Sequence, residues 1–273
     1  MKMKINRLRP IYWTIRKVFL NNPVMRQVWL SRQTLTPVEK PCPVCSCEKT
    51  YRVNFKFEGQ LIPKNRCPKC GHLFSSNLNR NLNQANLLFN YQNENIQKPG
   101  QEFLLEKLYK VLAQTVQKES YSIVDFGVGG NLSTYENMQA KYKNSQFFAC
   151  DLYPLDRSAF FQSYTDNSKL GIFDGIASNA VIEHLDNTLE AWTYLNHLLK
   201  PVNAGDSYMI HSFPSLINED PFHWTIRIKS HECLFSKTSL DILCLKTGFK
   251  LLKISYFHQV QHPVFLFKKI ADC

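Results

Sequence analysis

Ser122-Ile123-Val124-Asp125-Phe126-Gly127-Val128-Gly129-Gly130 decides the fold, because an apolar run leads directly into an acid and a glycine-rich turn. Glycine has no Cβ and adopts positive φ, so such a turn folds tightly and presents backbone N–H groups at the start of the next helix. The capping-box pattern Ser133-Thr134-Tyr135-Glu136 predicts that helix. We therefore predict a strand, a turn that closes on a nucleoside cofactor, and a helix.

A second strand-like run, residues 146–150, ends in Asp151. Doubly wound sheets place an acid at this position, where it hydrogen-bonds the ribose hydroxyls of a cofactor. A nicotinamide dinucleotide is disfavoured, because its fingerprint requires a third glycine where this chain has Leu132.

The turn resembles motif I of the class I S-adenosylmethionine-dependent methyltransferases. That resemblance implies that S-adenosylmethionine is bound by the residues Asp125, Gly127, Gly129, Asp151 and Asn179. The chain departs from the family pattern at Asn131, where the family often has its last glycine. Asparagine tolerates the left-handed backbone better than most residues, so binding is still expected.

The resemblance covers about residues 100–273. It includes Glu183-His184-Leu185 after a predicted fourth strand, and the segment 231–236, which matches a His-Xaa-Xaa-Xaa-Phe-Ser pattern of the same group. The implied fold class is α/β, with a Rossmann-like doubly wound, mostly parallel seven-stranded sheet. Its final strand is expected to be antiparallel.

Two histidines are candidates for catalysis. His184 follows the predicted fourth strand and His231 lies in a later loop, and ligands of such sheets bind at the carboxyl ends of the strands. Histidine titrates close enough to neutrality to accept a proton from a hydroxyl or a carbon acid. The alternative is that each histidine caps a helix or is a hydrogen-bonded structural residue.

Four cysteines form two Cys-Xaa-Xaa-Cys pairs, Cys42, Cys45, Cys67 and Cys70. This spacing predicts a structural Zn²⁺ on four thiolates, which leaves no open position for water. Alternating apolar and polar residues between the pairs, with a turn at Glu58-Gly59, predict a hairpin and thus a small N-terminal zinc ribbon. Four reduced structural cysteines, or Cys47 or His72 in place of one ligand, are the alternatives.

Composition favours a globular protein outside the membrane. The chain has 273 residues, of which 44% are hydrophobic and 20% charged. It contains neither a run of about 18 apolar residues nor a signal-peptide core, so a cytoplasmic location is expected. The formal net charge is +11, and residues 1–32 carry many cations and no acid.

Basic and aromatic residues are interleaved in that N-terminal segment. This pattern predicts peripheral contact with an anionic membrane surface or with nucleic acid, or else a helix packed on the main domain. We expect four regions: a basic amphipathic segment (1–38), the zinc ribbon (39–76), a polar connector (77–100) and the methyltransferase domain (101–273). The oligomeric state is not predicted.

The expected function is methyl transfer from S-adenosylmethionine to a small metabolite, such as a nucleotide-linked sugar or a glycan precursor. Substrate assignment rests on analogy in layout alone. An RNA methyltransferase that uses the ribbon and the basic N-terminus is one alternative. A non-catalytic binding protein with the methyltransferase fold is another.

Overall fold

The computed structural model describes residues 36–57, 60–75, 100–127, 133–151, 161–163, 172–185, 187–217, 231–260 and 262–273. The basic segment 1–32, nearly all of the predicted connector and the predicted turn Glu58-Gly59 lie outside these residues. Four helices are described: α1 (Gln101–Thr115), α2 (Ser133–Lys141), α3 (Thr188–Leu198) and α4 (Lys237–Lys246). Within the described chain, no helix combines the length and apolar character needed to cross a membrane.

The larger sheet has seven strands. They are β5 (Ser122–Phe126), β6 (Gln146–Asp151), β7 (Phe161–Ser163), β8 (Gly175–Asn179), β9 (Tyr208–Ser212), β11 (Phe249–Ser255) and β12 (Val264–Lys269). Their order across the sheet is β11-β12-β9-β8-β5-β6-β7. Neighbours from β9 to β7 pair in parallel, and β12 is antiparallel to both β9 and β11. This confirms the predicted doubly wound sheet and its antiparallel final strand.

The central strands are apolar because both faces of the sheet are covered. Every residue of β8 and β9 is buried, as expected for strands between two layers of helices. Helix α1 packs its leucine face on β8 at Gly175, where a Cβ would lie 2.9 Å from Leu108 Cδ2. The glycine therefore sets how closely the helix approaches the sheet.

An ion-pair cluster closes the amino edge of this sheet. The buried carboxylate of Asp174 lies 2.8 Å from Lys118 Nζ and 2.7 Å from Lys200 Nζ, and it accepts a hydrogen bond from the Ser122 N–H. Burial disfavours the charge, but the two lysines outweigh burial and hold the pKa of the Asp174 carboxyl below its usual range. The cluster joins α1, β5 and β8 through segments next to them.

The smaller sheet has five antiparallel strands in the order β1-β2-β3-β4-β10. These are β1 (Thr36–Val38), β2 (Thr50–Phe57), β3 (Gln60–Arg66), β4 (Leu73–Ser75) and β10 (Cys233–Leu234). Strands β2 and β3 form the predicted hairpin, with Tyr51 opposite Arg66 and Phe57 opposite Gln60. Strand β10, from the predicted methyltransferase domain, pairs with β4 and completes the sheet of the ribbon.

Candidate cofactor cleft and metal centre

The turn after β5 requires glycine at its first position. Gly127 has φ +79°, and a Cβ on it would lie 2.4 Å from Val181 Cγ2. Its N–H donates to the Cys150 carbonyl oxygen at 2.7 Å, which ties the turn to the end of β6. The backbone thus approaches the segment after β8 more closely than any side chain would permit. Gly129, Asn131 and Leu132 lie outside the described residues.

Asp125 holds the two helices that flank the turn. Its buried Oδ2 accepts hydrogen bonds from Gln101 Nε2 at 2.6 Å and from the Tyr135 hydroxyl at 2.9 Å. Gln101 begins α1 and Tyr135 lies in the first turn of α2. Neither partner was predicted, because Gln101 lies in no motif and the capping box that contains Tyr135 indicates only a helix start.

The other predicted cofactor residues lie at the same edge of the sheet. Asp151 is the last residue of β6, and Asn179 is the last residue of β8 with a buried side chain. Ala180 follows with φ +54°, a conformation that costs a non-glycine residue energy. Its N–H donates to the Ser212 carbonyl oxygen at 2.8 Å. Strained backbone of this kind concentrates at functional sites.

The tertiary structure brings the two predicted catalytic histidines together. His184 ends a 3₁₀ turn (Ile182–His184) after β8, and His231 precedes β10. Their ring centroids lie 5.0 Å apart with an interplanar angle of 77°. The ligand atoms of these two rings and of the buried Glu183 lie within 4.8 Å of one another. The cluster can accept a proton or contact a cation.

The four predicted metal ligands form one cluster. The sulfur atoms of Cys42, Cys45, Cys67 and Cys70 all lie within 4.8 Å of one another. Two of the separations are 3.6 Å, between Cys42 and Cys70, and 3.4 Å, between Cys45 and Cys67. Disulfide sulfurs are about 2.05 Å apart, so neither pair is bonded.

The alternative ligands lie outside this group. His72 is fully buried and stacks between Phe74 and Phe235, with centroid distances of 5.7 and 5.1 Å. Burial lowers the pKa of His72 to about 3, so its ring is neutral at physiological pH. Cys47 Sγ instead donates to the Lys49 carbonyl oxygen at 3.4 Å.

One further polar pair inside the sheet was not anticipated. His211 of β9 is fully buried, and its Nδ1 lies 2.5 Å from Ser178 Oγ of β8. Burial lowers the pKa of His211 to about 3. Ser178 and His211 are partners in the register of the parallel strands β8 and β9. They are distant in the sequence and come together because these two strands are adjacent in the sheet.

The strand order is the observation that identifies the fold. A mostly parallel sheet of seven strands, with one antiparallel strand and a glycine turn after β5, is the arrangement expected from the motif I resemblance. The chain has the class I methyltransferase fold. The ribbon sheet is an addition to this methyltransferase fold.

Comparison with known proteins gave likenesses of structure alone. No protein-family model and no curated sequence matches the chain. A Burkholderia thailandensis 1,6-didemethyltoxoflavin-N1-methyltransferase aligns at 13% identity, covering 80% of this chain and 99% of that chain, with TM-score 0.49. The plantazolicin methyltransferase BpumL aligns at 14% identity over 70% and 91%, with TM-score 0.48. The CurJ carbon methyltransferase aligns at 10% identity over 63% and 54%, with TM-score 0.45, so the chain spans about half of its length.

Proposed function

We propose that this protein transfers a methyl group from S-adenosylmethionine to a small-molecule acceptor. The observation that carries the proposal is the turn at Gly127, where a positive φ and the contact with Val181 exclude any side chain at the carboxyl edge of β5. Ligands of open α/β sheets bind at this edge. Asp151 ends β6 and Asn179 ends β8, the two strands on either side of β5, and these residues would contact the ribose and the adenosine.

The histidine pair would act on the acceptor. When bound, S-adenosylmethionine supplies an already activated methyl group, so the chain itself has to align the acceptor and remove its proton where one is lost. His184 and His231 lie with their rings 5.0 Å apart beside Glu183. We assign one of the two imidazoles to accept the proton of a hydroxyl or a carbon acid.

The four-cysteine cluster would hold one structural zinc ion. Zinc–sulfur bonds of about 2.3 Å in a tetrahedron separate the sulfurs by about 3.8 Å, within the range that the cluster spans. Backbone N–H groups point at the sulfurs, as the Cys70 N–H does at Cys67 Sγ from 3.5 Å. With four protein ligands, the ion would have no position for substrate.

The acceptor class is proposed from layout. A zinc module before the methyltransferase domain, together with the segment 231–236 towards the C-terminal end of that domain, resembles the layout of enzymes that methylate nucleotide-linked sugars and other small metabolites. Such acceptors are the first to test. The proposed location of the protein is the cytoplasm.

Calorimetric titration tests the cofactor. Zinc-loaded protein is titrated in parallel with S-adenosylmethionine, S-adenosylhomocysteine and NADH, and micromolar binding of the two adenosyl compounds alone is expected. Gly127→Ala should abolish that binding. Gly205→Ala is the matched control, because Gly205 also has positive φ, +121°, yet a Cβ there meets nothing within 4 Å. Absence of adenosyl binding in the wild type would support a non-catalytic binding protein instead.

Labelled S-adenosylmethionine tests the acceptor. Incubation with a panel of nucleoside diphosphate sugars should transfer label to a small molecule, and His184→Gln and His231→Gln should reduce the rate by about 100-fold or more. The panel is run beside total RNA at low salt. Label on RNA, lost as salt rises, would replace the small-molecule proposal with a nucleic-acid methyltransferase.

A further inference from the structure

A lysine of the ribbon is buried on the apolar face of its hairpin. Lys64 of β3 is only 1% exposed. It lies directly opposite Val53 of β2 and shares a strand face with Ile62, both of which belong to the small core of the ribbon. A charged side chain in such a place is costly unless it is partnered.

The partner lies in the methyltransferase domain. Lys64 Nζ donates a hydrogen bond to the backbone carbonyl oxygen of His231. Burial lowers the pKa of Lys64 to about 8, while the nearby Glu232 opposes this by stabilising the ammonium. The amine therefore stays mostly protonated at neutral pH, and its bond to the carbonyl is charge-assisted.

The ribbon supplies further bonds to the same segment. Ser75 at the end of β4 donates its N–H to the Glu232 carbonyl oxygen at 2.9 Å. The Glu232 N–H in turn donates to the Glu183 carbonyl oxygen at 2.6 Å, next to His184. The backbone of residues 231–232 is thus held between the ribbon on one side and the histidine-bearing turn on the other.

The bond to His231 itself comes from the ribbon. A side chain can reorient when the backbone that carries it is free to rotate, so a fixed carbonyl at His231 restricts where its ring points. The ring lies edge-on to that of His184. Strand pairing of β4 with β10 begins at Cys233 and does not reach His231. The contact of Lys64 reaches past the end of that pairing.

We propose that Lys64 is a positioning residue, which acts through the backbone of His231 to hold the imidazole of His231 against that of His184. The zinc ribbon would then serve the acceptor site as a support for its histidine pair. The inference rests on the proposed function in one respect, namely that the pair of His184 and His231 faces the methyl acceptor.

The test is nuclear magnetic resonance of zinc-loaded, histidine-labelled protein. Ring signals of His184 and His231 are assigned by comparison with His184→Gln and His231→Gln. The wild type should show a nuclear Overhauser effect between the two rings. Lys64→Met should lose this nuclear Overhauser effect and shift the ring signal of His231, because methionine offers no hydrogen-bond donor to the His231 carbonyl. Lys64→Arg, which keeps a cationic donor, should retain it, as should the control Lys49→Met at an exposed position of the ribbon.

A purely structural role for Lys64 predicts a different result. It would lower the melting temperature of Lys64→Met and leave the effect between the rings unchanged in the folded protein, and that result would overturn the inference. If Lys64→Met does not fold, Lys64→Gln takes its place, because the shorter glutamine side chain cannot reach the carbonyl. The nuclear Overhauser effect between the two rings is then compared in the same way.

S-adenosylhomocysteine separates this inference from the proposed function. Its affinity should be equal in the wild type and in Lys64→Met, since the bond from Lys64 lies on the histidine segment and not on the Gly127 turn. A wild type that binds no S-adenosylhomocysteine contradicts the proposed function, and the comparison of ring signals still decides the role of Lys64. A wild type that binds it, with ring signals indifferent to Lys64→Met, contradicts the inference alone.

Discussion

The two sheets of this molecule bury different amounts of apolar surface. The seven-stranded sheet lies between two apolar clusters that include most of the large buried side chains, with Trp192, Phe265 and Phe267 on one face. Among the residues that the structure describes, the five-stranded sheet has a separate core of five buried residues, Val53, Phe55, Ile62, Leu73 and Leu234, while its Phe74 packs into one of the two larger clusters. One of these five comes from β10. The smaller sheet therefore needs support that its own strands do not provide.

That support comes from two sources. The cysteine cluster offers four ligands that a zinc ion would crosslink, and small domains with little core are commonly stabilised in this way. The second source is the larger domain, which contributes β10 and packs Phe235 against His72. The ribbon is thus joined to the segment that carries His231 through β10 and the contact of His72 with Phe235.

Loss of a ligand to the proposed zinc ion should have the largest effect. Zinc binding to structural four-ligand sites contributes on the order of 10 kcal/mol, so Cys67→Ser should melt the ribbon hairpin while the seven-stranded sheet stays folded. Hydrogen exchange of the β2 and β3 amides, with zinc content measured by mass spectrometry, checks this. Cys47→Ser is the matched control and should retain one zinc per chain. Equal protection of β2 and β3 in both variants would contradict the proposed metal site.

Asp174→Asn should be the most damaging of the changes to the larger sheet. It leaves Lys118 and Lys200 without their buried partner, at a cost on the order of 3 kcal/mol. Urea unfolding of the wild type and of Asp174→Asn measures this loss in the free energy of unfolding. The control Asp206→Asn removes a partly exposed pair with Lys268 and should cost under about 1 kcal/mol.

The same carboxylate predicts a pH dependence. Because the folded pKa of Asp174 is lowered, its contribution to stability is present above the unfolded pKa, about 3.8, and is lost as pH falls through the folded pKa. The wild type should therefore lose more stability than Asp174→Asn on acidification below pH about 4. Parallel curves for the two proteins would contradict this assignment.

Asp151→Ala should change binding and leave stability nearly unaltered. Removal of one or two hydrogen bonds to the ribose should weaken the binding of S-adenosylmethionine by about 2 kcal/mol, or roughly 30-fold in affinity. Calorimetry measures this affinity. The control Asp241→Ala lies on the exposed face of α4 and should bind as the wild type does. Unchanged affinity in Asp151→Ala would mean that the carboxyl end of β6 does not face the cofactor.

Ser236→Ala should have the smallest effect on stability. It tests the contact between the helix α4 and the cysteine-bearing segment of the ribbon. Its Oγ accepts from the Ser239 N–H at 3.1 Å as the N-cap of α4, and it donates to the Cys70 carbonyl oxygen. The loss should be about 1 kcal/mol in thermal unfolding. Thr238→Ala, at an exposed position of the same helix, should stay within about 0.5 kcal/mol of the wild type. An identical loss in both variants would exclude a capping role.

Local patterns predicted most of the elements correctly. The apolar run before Asp125, the capping box at Ser133 and the alternation in residues 51–57 each became the expected strand, helix or hairpin. Periodicity and turn chemistry act over a few residues, so they are visible in the sequence. His184 was expected at the carboxyl edge of the sheet because it follows the fourth predicted strand, and His231 because it lies in a later loop. The structure places their ring centroids 5.0 Å apart.

Contacts between distant segments were not predictable in the same way. Lys64 lies in a strand of an ordinary hairpin, and nothing in the neighbouring sequence distinguishes it from an exposed lysine such as Lys49. Its burial depends on the arrival of residues 231–234 from the other domain. Gln101 and Tyr135 likewise became partners of Asp125 only when both helices packed beside β5.

The amino-acid sequence alone determined the strand before Asp125, the glycine turn and the pairs of cysteines, because each depends on residue types at short, fixed spacings. The parallel sheet was expected from the family resemblance. The tertiary structure decided that β10 completes the ribbon sheet and that a ribbon lysine contacts the backbone of His231. Such contacts depend on which surfaces of two separately patterned units bury the most apolar area and satisfy the most polar groups. That balance is a property of the folded whole, and no short stretch of the chain encodes it.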